Sequence, residues 1–242
     1  MYRIWPDPDP TPLDDEALID LYRSAAPGLR LNFVTSVDGA VEIEGVSKGL
    51  QTPADNRVFA LLRRFPDALL VGAGTLRQEG YGPVRLDEPR RSWRTGHGLS
   101  PYPRLVVASR RLDLDPTHPA LHDAPVRPVI LTCASAPPDR HRSLASVADV
   151  LVHGDDEVDL RAAVADLRER GLGTILSEGG PHLFGALTAA DLVDEVCLTV
   201  SPLLAGPGAG RITAGPPSPA RDLKVAHILY AEDAIILRYT RG

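Results

Sequence analysis

GTILSEGGPHLFGALTAADLVDEVCLTVSPLLAGPG, residues 173–208, is the stretch whose reading decides the fold. A short apolar run, Thr174 to Leu176, is cut off by Ser177-Glu178-Gly179-Gly180. A helical pattern with apolar Leu183, Phe184 and Leu187 follows, and a second apolar run begins at Val196. The spacing predicts a strand, a glycine turn, a helix and a strand. The turn sits at the carboxyl end of a buried strand, where open α/β sheets place their ligands, and it opens a helix whose unpaired N–H groups attract anions. Gly179 and Gly180 would let a phosphate come close to the backbone, and Pro181 suits a first helical turn, where its missing N–H has no partner to lose. The plainer alternative is a tight turn with Glu178 as a solvated cap.

The same alternation extends outward. Leu29 to Val37, Ala68 to Val71, Leu105 to Ala108, Val129 to Leu131 and Val150 to Val152 read as strands. Thr52-Pro53-Ala54-Asp55 before Val58, Phe59, Leu61 and Leu62 has the form of a helix start, with Thr52 as cap, and that helix should stop before Pro66. Leu160 to Arg170 is a further helix. Strands alternating with helical patterns predict an α/β fold with a mainly parallel central sheet, helices on both faces and three layers. Leu223 to Tyr230 and Ala234 to Tyr239 predict a C-terminal antiparallel hairpin. Residues 1–28 read as an N-terminal arm, rich in proline from Trp5 to Pro10, followed by a short surface helix; residues 29–242 read as one domain. Gly80 to Tyr102 lacks periodicity and reads as a long loop, either a lid or disordered.

Composition narrows the classes. With 242 residues, 43% hydrophobic and 24% charged, the chain is long enough for one large α/β core. A net charge of -6 argues against a nucleic-acid partner. Cys133 and Cys197 each lie in an apolar run, so buried thiols are expected rather than a disulfide framework or a metal site. No apolar run approaches a membrane span, and the expected compartment is the cytoplasm.

Glu178-Gly179-Gly180-Pro181, Leu192-Val193-Asp194-Glu195 and Ser201-Pro202-Leu203-Leu204-Ala205-Gly206 together resemble one family closely. It is the reductase domain of riboflavin biosynthesis, the C-terminal half of the bifunctional deaminase-reductase. The zinc-binding deaminase motifs are absent, so the resemblance is to a stand-alone, actinobacterial-type form. It covers roughly residues 29–240. It implies a dihydrofolate-reductase-like fold, NADPH as cofactor, a homodimer, and reduction of the ribosylamino group of a 5-phosphoribosylamino-pyrimidine to a ribitylamino group, as in a 5-amino-6-(5-phosphoribosylamino)uracil reductase. Two other readings stay open: a reductase of a pterin such as dihydrofolate, and a non-catalytic NADPH-binding protein.

The residues carry these expectations as follows. Gly72-Ala73-Gly74-Thr75 is a second glycine turn at a strand end, offering N–H groups to a dinucleotide. Ser109, Arg110 and Arg111 follow the next strand and supply what a ribose 2′-phosphate requires, a hydroxyl and guanidinium forks. The resemblance places Val34, Thr75, Glu79 and Ser109 on cofactor positions, together with Gly179, Gly180, Pro181, His182, Leu183 and Phe184. Glu79 stands where the family more often has Asp. On the substrate side it matches Ser47, Arg63 and Glu178, with Arg63 on the sugar phosphate and Arg64 and Arg85 as competitors; Pro83 and Arg85 are further candidates for substrate contact. Gly80-Tyr81-Gly82-Pro83 and Gly49 depart from the family's usual residues. Asp38, at the end of the first strand, is a carboxylate suited to an amino-pyrimidine edge or to a proton relay. The proton for nitrogen would come from Glu178 or from a water held by Asp38.

Overall fold

The computed structural model describes residues 1–23 and 26–242. The chain runs β1 (Tyr2–Trp5), α1 (Asp15–Tyr22), β2 (Leu29–Ser36), α2 (Pro53–Leu62), β3 (Ala68–Gly72), α3 (Ala73–Gln78), α4 (Glu88–Gly96) and β4 (Arg104–Ala108). It continues with α5 (Pro119–His122), β5 (Val129–Thr132), α6 (Pro138–Leu144), β6 (Asp149–Val152), α7 (Leu160–Glu169) and β7 (Ile175–Ser177). It ends with α8 (Pro181–Ala189), β8 (Glu195–Ser201), β9 (Leu223–Ala231) and β10 (Ala234–Arg241). The strands form one ten-stranded sheet in the order β1-β9-β10-β8-β2-β7-β3-β4-β5-β6. From β8 to β6 every neighbouring pair is parallel, while β10 pairs antiparallel with β8 and with β9. The predicted mainly parallel sheet and C-terminal hairpin are both present.

The apolar runs are long because each parallel strand is covered twice. In β3, Leu69 and Val71 join the core under α1 and α2, while Ala68 and Leu70 join the core under α7 and α8. Leu105 and Val107 of β4 face the first core, and Val106 the second. This period of two is the layer structure written into a single strand. Thr52 caps α2 as expected, its hydroxyl accepting from Asp55 N at 3.1 Å.

Two segments differ from the sequence expectation. The arm contributes an edge strand, because Tyr2 to Trp5 lie before the prolines and keep their N–H groups; β1 pairs with β9. The helix read as a surface helix buries Leu18, Ile19 and Tyr22. Its last turn is held by two arginines: Arg30 donates to Tyr22 O at 2.7 Å and Arg238 donates to Leu21 O. Glu195 lies between them, accepting from Arg30 Nε at 2.8 Å and from Arg238 Nε at 3.0 Å. Cations at a helix C-terminus oppose its partial negative charge, and the shared carboxylate makes their burial tolerable.

The second difference is the stretch from Gly80 to Tyr102, which contains α4. Asp87 caps it by accepting from Arg90 N at 3.1 Å, and Pro89 occupies its first turn. Arg94 is fully buried and donates to the carbonyls of Ser100, Arg64 and Pro66. That long side chain does the work that apolar periodicity does elsewhere, which is why the segment reads as a loop. Cys133 and Cys197 are buried and unlinked. Among the described residues no helix is long and apolar enough to cross a membrane, and no cluster of three or more His, Cys, Asp or Glu side chains could hold a metal.

Candidate active site

The carboxyl ends of β2, β3, β4 and β7 lie at one edge of the sheet, and the turns that leave them surround two adjoining cavities. β7 delivers Glu178 there, with its side chain only 2% exposed. The last turn of α2 delivers Arg63, whose Nε and Nη2 donate to the two carboxylate oxygens at 2.7 Å each. Tyr81 donates its hydroxyl hydrogen to the same carboxylate. The Phe59 ring lies one helical turn earlier, 4.4 Å from the guanidinium carbon of Arg63. A two-pronged Arg–carboxylate pair over an aromatic ring is rigid and directional.

The smaller cavity, about 130 Å³, is lined by Asn32, Phe33 and Val34 of β2, by Asp55 and Phe59 of α2, and by Ser47, Glu79 and Glu178. Ser47 donates to Glu79 from its backbone N at 3.0 Å and from its hydroxyl at 3.1 Å. This double contact fastens the segment after β2 to the end of α3 in the cavity wall.

The larger cavity is a groove of about 570 Å³. One wall is the start of α3, with Gly72, Gly74 and Thr75; the other is the start of α8, with Gly180, Pro181, His182 and Leu183. Gly72 N donates to Gly179 O at 2.8 Å, which ties the two turns together. Neither α3 nor α8 has a side-chain cap, so the first N–H groups of both helices open onto the groove. Gly179 has a φ of +99°, and a Cβ on Gly180 would lie 2.8 Å from Thr75 Oγ1. The peptide between them is cis. Beyond the helix starts, Ser109, Arg110 and Arg111 line the far end, where Arg110 is paired with the exposed Glu157. Thr75, Gln78, Gly180 and Pro181 line both cavities.

The structure therefore brings together Val34, Ser47, Gly72, Gly74, Thr75, Glu79, Ser109, Arg110, Arg111, Glu178, Gly180, Pro181, His182 and Leu183 around one continuous space. Arg63 joins them through Glu178. Gly179 backs the turn, and Phe184 is buried, its ring centroid 5.2 Å from that of Phe33. Pro83 and Arg85 line neither cavity; Arg85 is exposed and donates to Asp123 O at 3.4 Å.

Asp38 also lies outside both cavities. Its carboxylate accepts from Ser36 Oγ, from Ala205 N at 3.1 Å and from Gly206 N at 2.8 Å, closing the turn after β2 onto the loop after β8. The Ser36 hydroxyl foremost, then the two backbone N–H groups, pull its pKa down to about 2. A folded-state pKa below the unfolded value adds stability that is present above about pH 4 and is lost as pH falls toward about 2. Asp38→Asn should accordingly lower the urea midpoint at pH 7, by an amount that shrinks as the pH is brought down through 4. In the wild type, the Asp38 carboxyl should titrate by NMR near 2. A midpoint near 4, the ordinary value, would remove the clamp.

Several lining residues are not singled out by the sequence, Asp55, Phe59 and Gln78 among them. Asp55 and Phe59 enter the sequence only as parts of a helix start, yet with Arg63 they recur every four residues; Asp55 and Phe59 line the small cavity, and Arg63 reaches it through Glu178. Asp55 is 4% exposed. The i, i+4, i+8 spacing was the available signal.

A model of the RibD C-terminal domain matches residues 27–237. The 2,5-diamino-6-ribosylamino-4(3H)-pyrimidinone 5′-phosphate reductase of Archaeoglobus fulgidus is 30% identical over 189 residues, which are 74% of this chain and 82% of that protein. The riboflavin biosynthesis protein RibD of Mycobacterium tuberculosis is 26% identical over 211 residues, 86% of this chain but 50% of the longer protein. The crystal structure of a pyrimidine reductase-like protein from Corynebacterium diphtheriae superposes with a TM-score of 0.82 at 27% identity, covering 88% of this chain and 91% of that one. The match runs from the start of β2 to the last strand and takes in every turn that builds the two cavities: the chain belongs to the RibD C-terminal domain family.

Proposed function

We propose that the protein is an NADPH-dependent reductase of a 5-phosphoribosylamino-pyrimidine, converting its ribosylamino group to a ribitylamino group. The observation that carries this reading is the shared wall. A groove suited to a dinucleotide and a small polar cavity meet at Thr75, Gln78, Gly180 and Pro181, so ligands in the two would touch. The printed activity of the Archaeoglobus relative supports the substrate class. A cytoplasmic homodimer belongs to the same proposal, on the family resemblance.

The groove fits the cofactor. Two uncapped helix starts face each other across it, and at Gly180 a Cβ would collide with Thr75, so backbone can approach a phosphate there. Gly72 to Thr75 and Gly180 to Leu183 would hold the pyrophosphate; Ser109, Arg110 and Arg111 would hold the 2′-phosphate. When bound, NADPH supplies a hydride to C1′ of the ring-opened sugar imine. The chain's own residues do the rest. Glu178, fixed by Arg63 and Tyr81, would favour the protonated imine, its nitrogen having taken a proton from water, so that hydride addition at C1′ leaves the neutral ribitylamine. Arg63, beside Glu178, would hold the sugar phosphate. Ser47, held by Glu79 in the cavity wall, would help position the substrate.

NADPH oxidation followed at 340 nm with the phosphoribosylamino-pyrimidine tests the reading, and steady turnover is expected. Turnover with dihydrofolate alone would make the protein a pterin reductase, and turnover with neither would leave an NADPH-binding protein. NADPH should also bind at least about 10-fold more tightly than NADH, since each charge-assisted hydrogen bond to the 2′-phosphate is worth about 1.5–3 kcal/mol. Arg111→Ala should erase most of that difference in a fluorescence titration without touching NADH affinity. Equal affinities in the wild type would remove the phosphate role of this loop.

A further inference from the structure

Arg63 sits where a helix holds its residues least. It follows the last residue of α2, and its own N–H reaches Phe59 O only at 3.4 Å. The next two N–H groups bond three residues back, Arg64 N to Leu61 O at 3.0 Å and Phe65 N to Leu62 O at 3.3 Å. A helix end of this kind leaves its last carbonyls unpaired, and its final side chain points where neighbouring elements set it. Here that neighbour is α4. Arg94 donates from Nη1 to Arg64 O at 2.9 Å and to Pro66 O at 2.7 Å, and from Nε to Ser100 O at 2.7 Å. The Trp93 ring meets that of Phe65 edge-on, centroids 5.5 Å apart, and lies 5.6 Å from the guanidinium carbon of Arg64.

Arg94 is a costly way to pack a helix. It is fully buried, its Nη2 has no partner among the described residues, and its hydrogen bonds go to carbonyls. Burial foremost pulls its pKa down to about 10, opposed by the charge of Asp67. An apolar side chain of similar length would fill the space without stranding a cation. It would not hold the carbonyls of the turn behind Arg63, which a guanidinium does. The front of Arg63 is held by the other end of the same segment. Tyr81 accepts from Arg63 Nη2 at 2.9 Å and donates to Glu178, and its ring lies 5.4 Å from the guanidinium carbon.

Resting on the reading of this site as a reductase, we infer that residues 80–102 form a brace that sets the Arg63–Glu178 pair for the reaction, with Tyr81 and Arg94 as positioning residues. Tyr81 fixes the carboxylate and the guanidinium relative to each other. Arg94 fixes the backbone from which the guanidinium reaches. The charge beside the imine and the cation for the sugar phosphate are thereby held at one separation, which a side chain at a loosely bonded helix end does not keep by itself.

The test measures kcat and KM for the phosphoribosylamino-pyrimidine with saturating NADPH, and NADPH affinity by fluorescence. Tyr81→Phe, which keeps the ring and removes the hydroxyl, should lower kcat about 10-fold, the effect of one charge-assisted hydrogen bond, with NADPH affinity unchanged. In a Glu178→Gln background the same change should cost less than about two-fold further, because Tyr81 acts through that carboxylate. Arg94→Met should raise KM for the pyrimidine about 10-fold with NADPH affinity unchanged, and Arg94→Lys should recover part of the loss. Circular dichroism should confirm folding, and if Arg94→Met does not fold, Tyr81→Phe and its double variant decide the matter. Three results overturn the inference and leave the reductase reading standing: kcat of Tyr81→Phe within about two-fold of wild type, a loss that adds in full to that of Glu178→Gln, or an Arg94→Met variant that weakens NADPH as much as substrate. No turnover by wild-type protein that binds NADPH overturns the reductase reading, and the brace with it.

Discussion

Arg63→Met should destabilise the protein by about 3–5 kcal/mol at neutral pH, the cost of leaving a buried carboxylate without its cation. Glu178 is 2% exposed and its two oxygens are met by Nε and Nη2 of Arg63, so Tyr81 is the partner that remains. Adding Glu178→Gln to the Arg63→Met variant should recover a large part of the loss, since the neutral amide carries no charge to strand. Urea unfolding of the two single variants and the double variant measures this, provided the slope with denaturant stays constant. A loss below about 1 kcal/mol for Arg63→Met would mean that water reaches Glu178 and that the pair behaves as a surface bridge. Activity should separate the two duties assigned to the arginine. Arg63→Lys keeps a charge but not the planar fork, so it should raise KM for the phosphorylated substrate and lower kcat as well, because Glu178 loses its fixed orientation.

Gly180→Val should abolish cofactor binding, with affinity for NADPH falling at least about 100-fold while the far-UV circular dichroism spectrum is retained. A Cβ at this position lies 2.8 Å from Thr75 Oγ1, and the two branches of valine would extend further into the wall that both cavities share. The Thr75 side chain can rotate away, which preserves the fold, but the added methyl groups then stand where backbone must meet phosphate. Gly180→Ala should weaken binding less, because rotation of one hydroxyl absorbs a single methyl. Titration by quenching of NADPH fluorescence decides between a phosphate cradle and a plain turn. Unchanged affinity in the valine variant would assign Gly180 to turn geometry alone.

Much of this architecture is local and was legible in the residues. Leu69 and Val71 face one layer and Leu70 the other, so β3 had to be apolar throughout, and the break at Gly72 marks its end. Thr52 with Pro53, and Gly180 with Pro181, mark helix starts because capping involves only three or four neighbouring residues. The groove followed from the same short-range chemistry: glycine turns at the ends of β3 and β7 and a basic turn after β4. Strand order was decided elsewhere. β7 enters between β2 and β3, although its pairs with them join residues 146 and 107 positions apart, Leu31↔Ser177 and Ala68↔Ile175. The ion pair behind the small cavity and the clamp on the turn after β2 join residues that are equally remote. Arg63 and Glu178 are 115 residues apart, and Asp38 and Gly206 are 168 apart. Nothing in the turn around Asp38 says that three donors will occupy it, and nothing near Asp55 says that β8 and β2 will bury it. A charged residue's role depends on which charges and donors the sheet carries to it, and only tertiary packing sets those distances; apolar period and turn chemistry act between neighbours, and the sequence alone determined them.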